Sequence, residues 1–281
     1  MRVNNGHIKT KNFDSETFSA TLNRTIDSKI EAAISQLDPS IQISRFQGKR
    51  LAIIGDSIST YSGTMPSGYR VYYPTGDVQS VNKMWWHIVC TNLGMNYTNC
   101  AWSGSRVTGT PVGDSPAAGC SNQRVTDAGR DGAPDIIIFF ISCNDWGNNV
   151  ELGNWKTSDT INPNTTADVE YVREAYALML YKFQIAYPSA KLFCCTNLDD
   201  TARDKDSGWP CNNNNGVSVY EWNKNIIEVA EALGAKVIDL HACGLNYMNI
   251  RSFCVDSGLH PNTAGHKIMA DFITAQLIAN Y

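Results

Sequence analysis

The sequence predicts an α/β protein with a central, mostly parallel sheet and helices on both faces. Three observations predict it. From Arg50 onward, short apolar runs alternate with segments of helical length and period. One run, 136–141, is β-branched, aromatic and apolar on both faces, as a strand in the middle of a parallel sheet must be. The chain then ends in a stretch at 263–279 that places Ile268, Met269, Phe272, Ile273 and Leu277 on one side, with Asn262 as its N-cap.

Along the chain, residues 15–37 come first. Phe18, Leu22, Ile26, Ile30, Ala33, Ile34 and Leu37 fall three or four apart, the period of an amphipathic helix, and Asp38-Pro39-Ser40 stops it. Its apolar stripe needs a partner: the body of the protein, a second copy, or a larger assembly such as a phage particle. Composition shifts near residue 47, which divides the chain into a leader, 1–46, and a main domain, 47–281. Strands are expected at 51–54, 97–101, 135–142, 191–196 and 236–240. Helices are expected at 82–93, 168–187, 220–233 and 263–279. Polar insertions at 147–167 and 199–218 both follow strand ends and are expected to wall one site.

Composition excludes several classes. With 43% hydrophobic residues the chain is too apolar for a disordered protein. The longest apolar run is six residues, far short of a membrane span. A net charge of −4 gives no general attraction to nucleic acid or anionic lipid. Residues 1–11 lack the apolar stretch of a secretory signal. The settings open are therefore cytoplasmic, particle-borne, or secreted after removal of a signal. The nine cysteines include no C-x-x-C pair, and a chain of 281 residues needs no disulfide framework, so they are expected to be mostly reduced. His241, Cys243 and Cys254 are poorly spaced for zinc, and no metal is expected.

In an open parallel sheet, ligands bind beyond the carboxyl ends of the strands. Four blocks lie there. Gly55-Asp56-Ser57 follows the first strand, so the Ser57 hydroxyl can stand at the top of the sheet, with Asp56 supporting the turn. Ser103-Gly104-Ser105 follows the second, where a glycine lets a backbone N–H approach a ligand. Asn144-Asp145 ends the central strand and offers an amide donor. Asp256 and His260-Pro261-Asn262 precede the final helix. A histidine pinned there can act as general base for a serine. His266 falls within the final helix, and His7, His87 and His241 lack such a context.

In this order the four blocks resemble the SGNH (GDSL) hydrolase superfamily, over about residues 48–281. The resemblance implies a flavodoxin-like, three-layer α/β/α sandwich and a serine ester hydrolase without cofactor. It implies that Ser57 is the nucleophile, His260 the base and Asp256 its orienter. The Ser57 and Gly104 N–H groups and the Asn144 amide would form the oxyanion hole. Two departures stand out. Ser142 occupies the place of the family's usual glycine before Cys143-Asn144-Asp145. Asp256 and His260 are separated by three residues rather than two, which leaves a Ser–His dyad open as an alternative.

Aromatic and arginine side chains near the blocks, namely Tyr72, Trp102, Arg106 and Trp146, suit stacking on sugar rings and bonding to hydroxyls. The Tyr- and Trp-rich blocks look like the carbohydrate acetyl-esterase members of the family. The expected substrate is therefore an O-acetylated saccharide or other small ester. A lipase, thioesterase or lysophospholipase is the alternative, and a non-catalytic glycan-binding module the second.

Overall fold

The computed structural model describes residues 43–112 and 116–281. The helix expected over 15–37, with any self-association or anchoring role, lies outside the described residues. The elements are β1 (Arg50–Gly55), α1 (Trp85–Leu93), β2 (Asn96–Asn99), α2 (Asn122–Ala128), β3 (Ile136–Phe140), α3 (Cys143–Gly147), α4 (Val172–Ala186), β4 (Lys191–Cys195), α5 (Val219–Ala232), β5 (Lys236–Ile238) and α6 (Thr263–Asn280). All five strands are parallel, in the order β2-β1-β3-β4-β5. The chain winds from β1 outward to β2, then crosses to β3. The crevice above β1 and β3 is therefore the topological switch point.

Alternation along the strands builds three layers. Ala52, Ile54, Ile137, Phe139 and Cys194 face one side with Tyr176, Phe183 and Trp222 of α4 and α5. Leu51, Ile53, Ile138, Phe140 and Cys195 face the other with Trp85 and Trp86 of α1 and Met269 and Ile273 of α6. Every residue of β3 is buried, as its two-sided apolarity predicts. Burying each such side chain contributes about 1.5–3 kcal/mol. Asn262 Oδ1 accepts the Gly265 N–H at 3.0 Å and caps α6 as expected.

Boundaries differ where local contacts compete. The chain at 81–83 is a separate 3-10 turn, because Met84 is extended before α1 begins. The helix expected from 168 starts at Val172, since Val169 is held in a two-bond bridge to Gly109. β5 stops at Ile238 because Leu240 opens a 3-10 turn. The packed body reaches ahead of residue 47: Phe46 is fully buried and its ring lies 4.8 Å from that of Tyr281. No helix among the described residues is long and apolar enough to cross a membrane. All nine cysteines are unbonded and seven are buried, where they fill the core as small apolar side chains.

Candidate active site

The turn after β1 is built to present a serine. Gly55 is required there, because a Cβ would sit 2.6 Å from Ser59 Oγ. Asp56 is buried and caps the 3-10 turn Ser57–Ser59: its Oδ1 accepts the Ile58 N–H at 3.0 Å. Its Oδ2 accepts the Cys143 thiol at 3.0 Å and ties this turn to α3. Burial raises the Asp56 carboxyl above its ordinary range, against the pull of these bonds. Asp56 thus braces the turn, and Ser57 is left with its hydroxyl toward the last loop.

That loop carries His260. Its Nε2 lies 2.9 Å from Ser57 Oγ, and its Nδ1 lies 2.5 Å from Asp256 Oδ2. The extra residue between Asp256 and His260 is absorbed by a tight turn around the carboxylate. Asp256 Oδ1 accepts the N–H groups of Gly258, Leu259 and His260 at 3.1, 2.9 and 3.1 Å. Partial burial works to raise Asp256. The bonds from the His260 ring and the three N–H groups outweigh it and hold the carboxyl well below the usual carboxylate range. Gly258 has φ +120°, and a side chain there would collide with Thr201, whose hydroxyl donates to Ser257 O at 2.7 Å. Tyr73 OH donates to Pro261 O at 2.6 Å. His260 is therefore pinned from three sides.

The second and third blocks meet beside Ser57. Gly104 adopts φ +84°, and neither its N–H nor that of Ser57 donates to a protein acceptor among the described residues. Ser105 Oγ donates to Gly55 O at 3.2 Å, and Ser105 O accepts from Asn144 Nδ2 at 2.9 Å. Asp145 is fully buried. It accepts the Val107 N–H at 2.7 Å and the Thr108 N–H and hydroxyl at 3.1 and 2.7 Å, which holds the second block against α3. Burial raises its carboxyl to about 6. Ser142 has φ +113°, the conformation for which a glycine is usual. Its hydroxyl is engaged instead, accepting from Trp222 Nε1 at 3.2 Å and facing Asn197 Oδ1 at 3.3 Å.

The four expected substrate contacts separate. Tyr72 stacks on the His260 imidazole. Trp102 is half-buried, edge-on to Tyr69 at 4.9 Å. Arg106 is exposed and, with Thr108, Glu151, Asp168, Glu170 and Tyr171, lines a cavity of about 490 Å³. Trp146 corrects the expectation: it is 1% exposed, lies in the core, and donates its indole N–H to Val217 O at 3.0 Å. α3 turns its ring inward, so it offers no face to a ligand. His266 lies in α6 as expected and is buried there, and His241 lies 3.4 Å from buried Asp199. Among the described residues no three His, Cys, Asp or Glu side chains gather as a metal site.

Two arginines were not legible in the sequence. Arg124 of α2 is fully buried and donates to Gly55 O at 2.7 Å, Ser105 Oγ at 3.1 Å and Cys100 O, tying the ends of β1 and β2 together. Arg203 comes from the insertion 199–218. It donates to Asn144 Oδ1 at 3.1 Å and Cys143 O at 3.0 Å. The expectation that this insertion walls the site pointed to the loop but not to the residue. The insertion 147–167 contributes Glu151 and Val150 to the cavity beside Arg106.

The fold is shared with solved structures. A protein from Bacteroides ovatus named for its likeness to GDSL lipases aligns with a TM-score of 0.61 at 23% identity, over 82% of this chain and 98% of its own. One of similar name from Bacteroides uniformis gives 0.58 at 23%, over 80% and 93%. An active-site mutant of a family two carbohydrate esterase from Clostridium thermocellum gives 0.50 at 17%, over 82% and 63%. No curated protein matches the chain. The sequence profile of GDSL-like lipases and acylhydrolases matches residues 49–224, from the strand before the serine turn to α5. On that match, which spans more than half of its length, the chain belongs to the GDSL-like lipase/acylhydrolase family of ester hydrolases.

Proposed function

We propose that the protein is a serine esterase that removes O-acetyl groups from a carbohydrate. The observation that carries the reading is the unbroken series Ser57 Oγ, His260 Nε2, His260 Nδ1, Asp256 Oδ2, with links of 2.9 and 2.5 Å. Ser57 attacks the ester carbonyl while His260 takes its proton. Asp256 holds the ring with Nδ1–H toward itself, so that Nε2 is the basic nitrogen, and stabilises the imidazolium that forms. The oxyanion sits among the N–H groups of Ser57 and Gly104 and the Asn144 amide. His260 returns the proton to the departing sugar oxygen. Water, deprotonated by the same ring, then releases acetate from Ser57.

Support for the carbohydrate comes from the surroundings. The cavity at Arg106 is lined by a guanidinium, three carboxylates and the hydroxyls of Thr108 and Tyr171, beside only Val150 and Val169, a lining that suits sugar hydroxyls better than a long aliphatic tail. The Clostridium thermocellum carbohydrate esterase has the same fold, so the frame accommodates such chemistry. Acetate release from a panel of acetylated polysaccharides tests the reading, alongside aryl esters of increasing chain length. Preference for acetyl esters supports it. Preference for long acyl chains moves the protein to the lipase side and sinks the carbohydrate.

A further inference from the structure

We infer that Arg203 is the positioning residue of the oxyanion hole, orienting and polarising the Asn144 amide from a loop distant in sequence. The inference rests on the serine-hydrolase reading above.

An amide side chain has two ends that differ little in shape, and only one of them can stabilise an oxyanion. Here both ends are assigned by partners of unambiguous character. A guanidinium has donors alone, so Arg203 Nη1, 3.1 Å away, can face only the amide oxygen. The Ser105 carbonyl accepts alone, so at 2.9 Å it can face only the NH₂ group. These two contacts use the oxygen and one N–H. The second N–H of Asn144 Nδ2 has no protein acceptor among the described residues and is the donor left for a ligand.

The arginine is itself held. Asp200, 2% exposed, accepts from Arg203 Nε at 2.5 Å and from its backbone N–H at 3.2 Å. Arg203 Nη2 donates to Cys143 O at 3.0 Å, so one guanidinium spans the residue before the amide and the amide itself. Gly147 at the end of α3 leaves the space, because any side chain there would collide with the guanidinium. Carboxylate, guanidinium and amide thus run in series, each polarising the next. A charged donor on Oδ1 withdraws density from the amide and strengthens Nδ2–H as a donor. Asp200 offsets the charge, so the effect is on the amide rather than a general attraction for anions.

The test is a double-mutant cycle on hydrolysis of an aryl acetate. Wild-type turnover checks the hydrolase reading by itself; a wild-type protein without activity would overturn that reading. Given turnover, Arg203→Met lowers kcat about tenfold or more with KM nearly unchanged, since displacing a catalytic group by ~1 Å costs up to about 10²-fold. In an Asn144→Ala background the same change lowers kcat less than about twofold, because the amide it acts through is gone. Arg203→Lys, with its charge but no fork, restores only part of the loss. Equal losses in both backgrounds, or a loss confined to KM, overturn the inference. Where Arg203→Met does not fold, the cycle is run with Asp200→Asn/Arg203→Met, which leaves no unpaired buried carboxylate, and is read by the same criteria.

Discussion

The ring of Tyr72 lies face to face with the imidazole of His260, the centroids 3.6 Å apart and the planes 9° from parallel. A residue expected to stack on substrate has one face on His260. The contact complements Asp256: the carboxylate fixes the edge of the ring and Tyr72 covers one face. Such stacking is worth about 0.5–1.5 kcal/mol. Tyr72→Phe keeps the face and should leave kcat within about twofold, whereas Tyr72→Ala should lower it about tenfold. Steady-state kinetics on an aryl acetate decide. A Tyr72→Ala protein with normal kcat and raised KM would return Tyr72 to the substrate.

Asp256 serves two ends, three N–H groups on one oxygen and the imidazole on the other. Asp256→Ala should therefore cut kcat by about 10³–10⁴ and also loosen the loop. A fall of less than about tenfold would favour a Ser–His dyad. The measurement is kcat, with proteolytic nicking near 256–260 as the reading for the loop.

On the proposed mechanism Asn144→Ala removes the side-chain donor of the oxyanion hole and should cost about 10²–10³ in kcat. The covalent reaction of Ser57 with a fluorophosphonate should persist at a reduced rate. No reaction at all, in a protein with unchanged circular dichroism, would mean that Asn144 serves the nucleophile itself.

Ser142 holds φ +113° with its hydroxyl engaged. A non-glycine residue in that conformation stores about 1–3 kcal/mol. Ser142→Ala keeps the strain and loses both hydroxyl contacts, while Ser142→Gly loses the contacts and the strain together. The alanine variant should be less stable than the glycine variant by about 1 kcal/mol or more. Urea unfolding midpoints give the order, and the reverse order would place the strain elsewhere.

His266 is buried, with no hydrogen-bond partner for either ring nitrogen among the described residues, and is edge-on to Tyr73 at 5.1 Å. Burial drives it down from 6.5 to about 3, and His260 nearby acts in the same sense while Asp77 opposes. The unfolded chain binds this proton in that window and the native protein does not. Stability is therefore full above pH 6.5 and falls as the pH drops toward 3. Asp145, raised to about 6, acts oppositely, losing stability as the pH rises from its unfolded value through 6. Comparing wild type with His266→Phe cancels the Asp145 contribution. Between pH 7 and pH 5 wild type should lose about 2 kcal/mol more than the variant. Parallel losses would show that His266 is paired or accessible.

Short-range patterns made most of this legible. β3 announced itself because burial on both faces demands a continuous apolar run. Ser57, Asn144 and His260 stood out because each lies just past a strand or before a helix, where the topology puts the crevice. What failed depended on direction or distance. Trp146 follows Asn144-Asp145 in the chain, yet two helical steps, about 200°, point the Asn144 and Trp146 side chains opposite ways. α2 was missed because its buried face carries Arg124, which breaks the apolar period. Arg203 meets Asn144 across 59 positions, and no local pattern marks such a pair.

The proposed chemistry requires that Ser57 Oγ be the atom acylated. Wild type and Ser57→Ala should be mixed with an aryl acetate, quenched in acid during turnover, and weighed intact, with the modified peptide mapped. The expected result is one added acetyl group on the peptide holding Ser57, and neither the adduct nor turnover in the alanine variant. Turnover persisting in Ser57→Ala, or the acetyl group found on another residue, would contradict it.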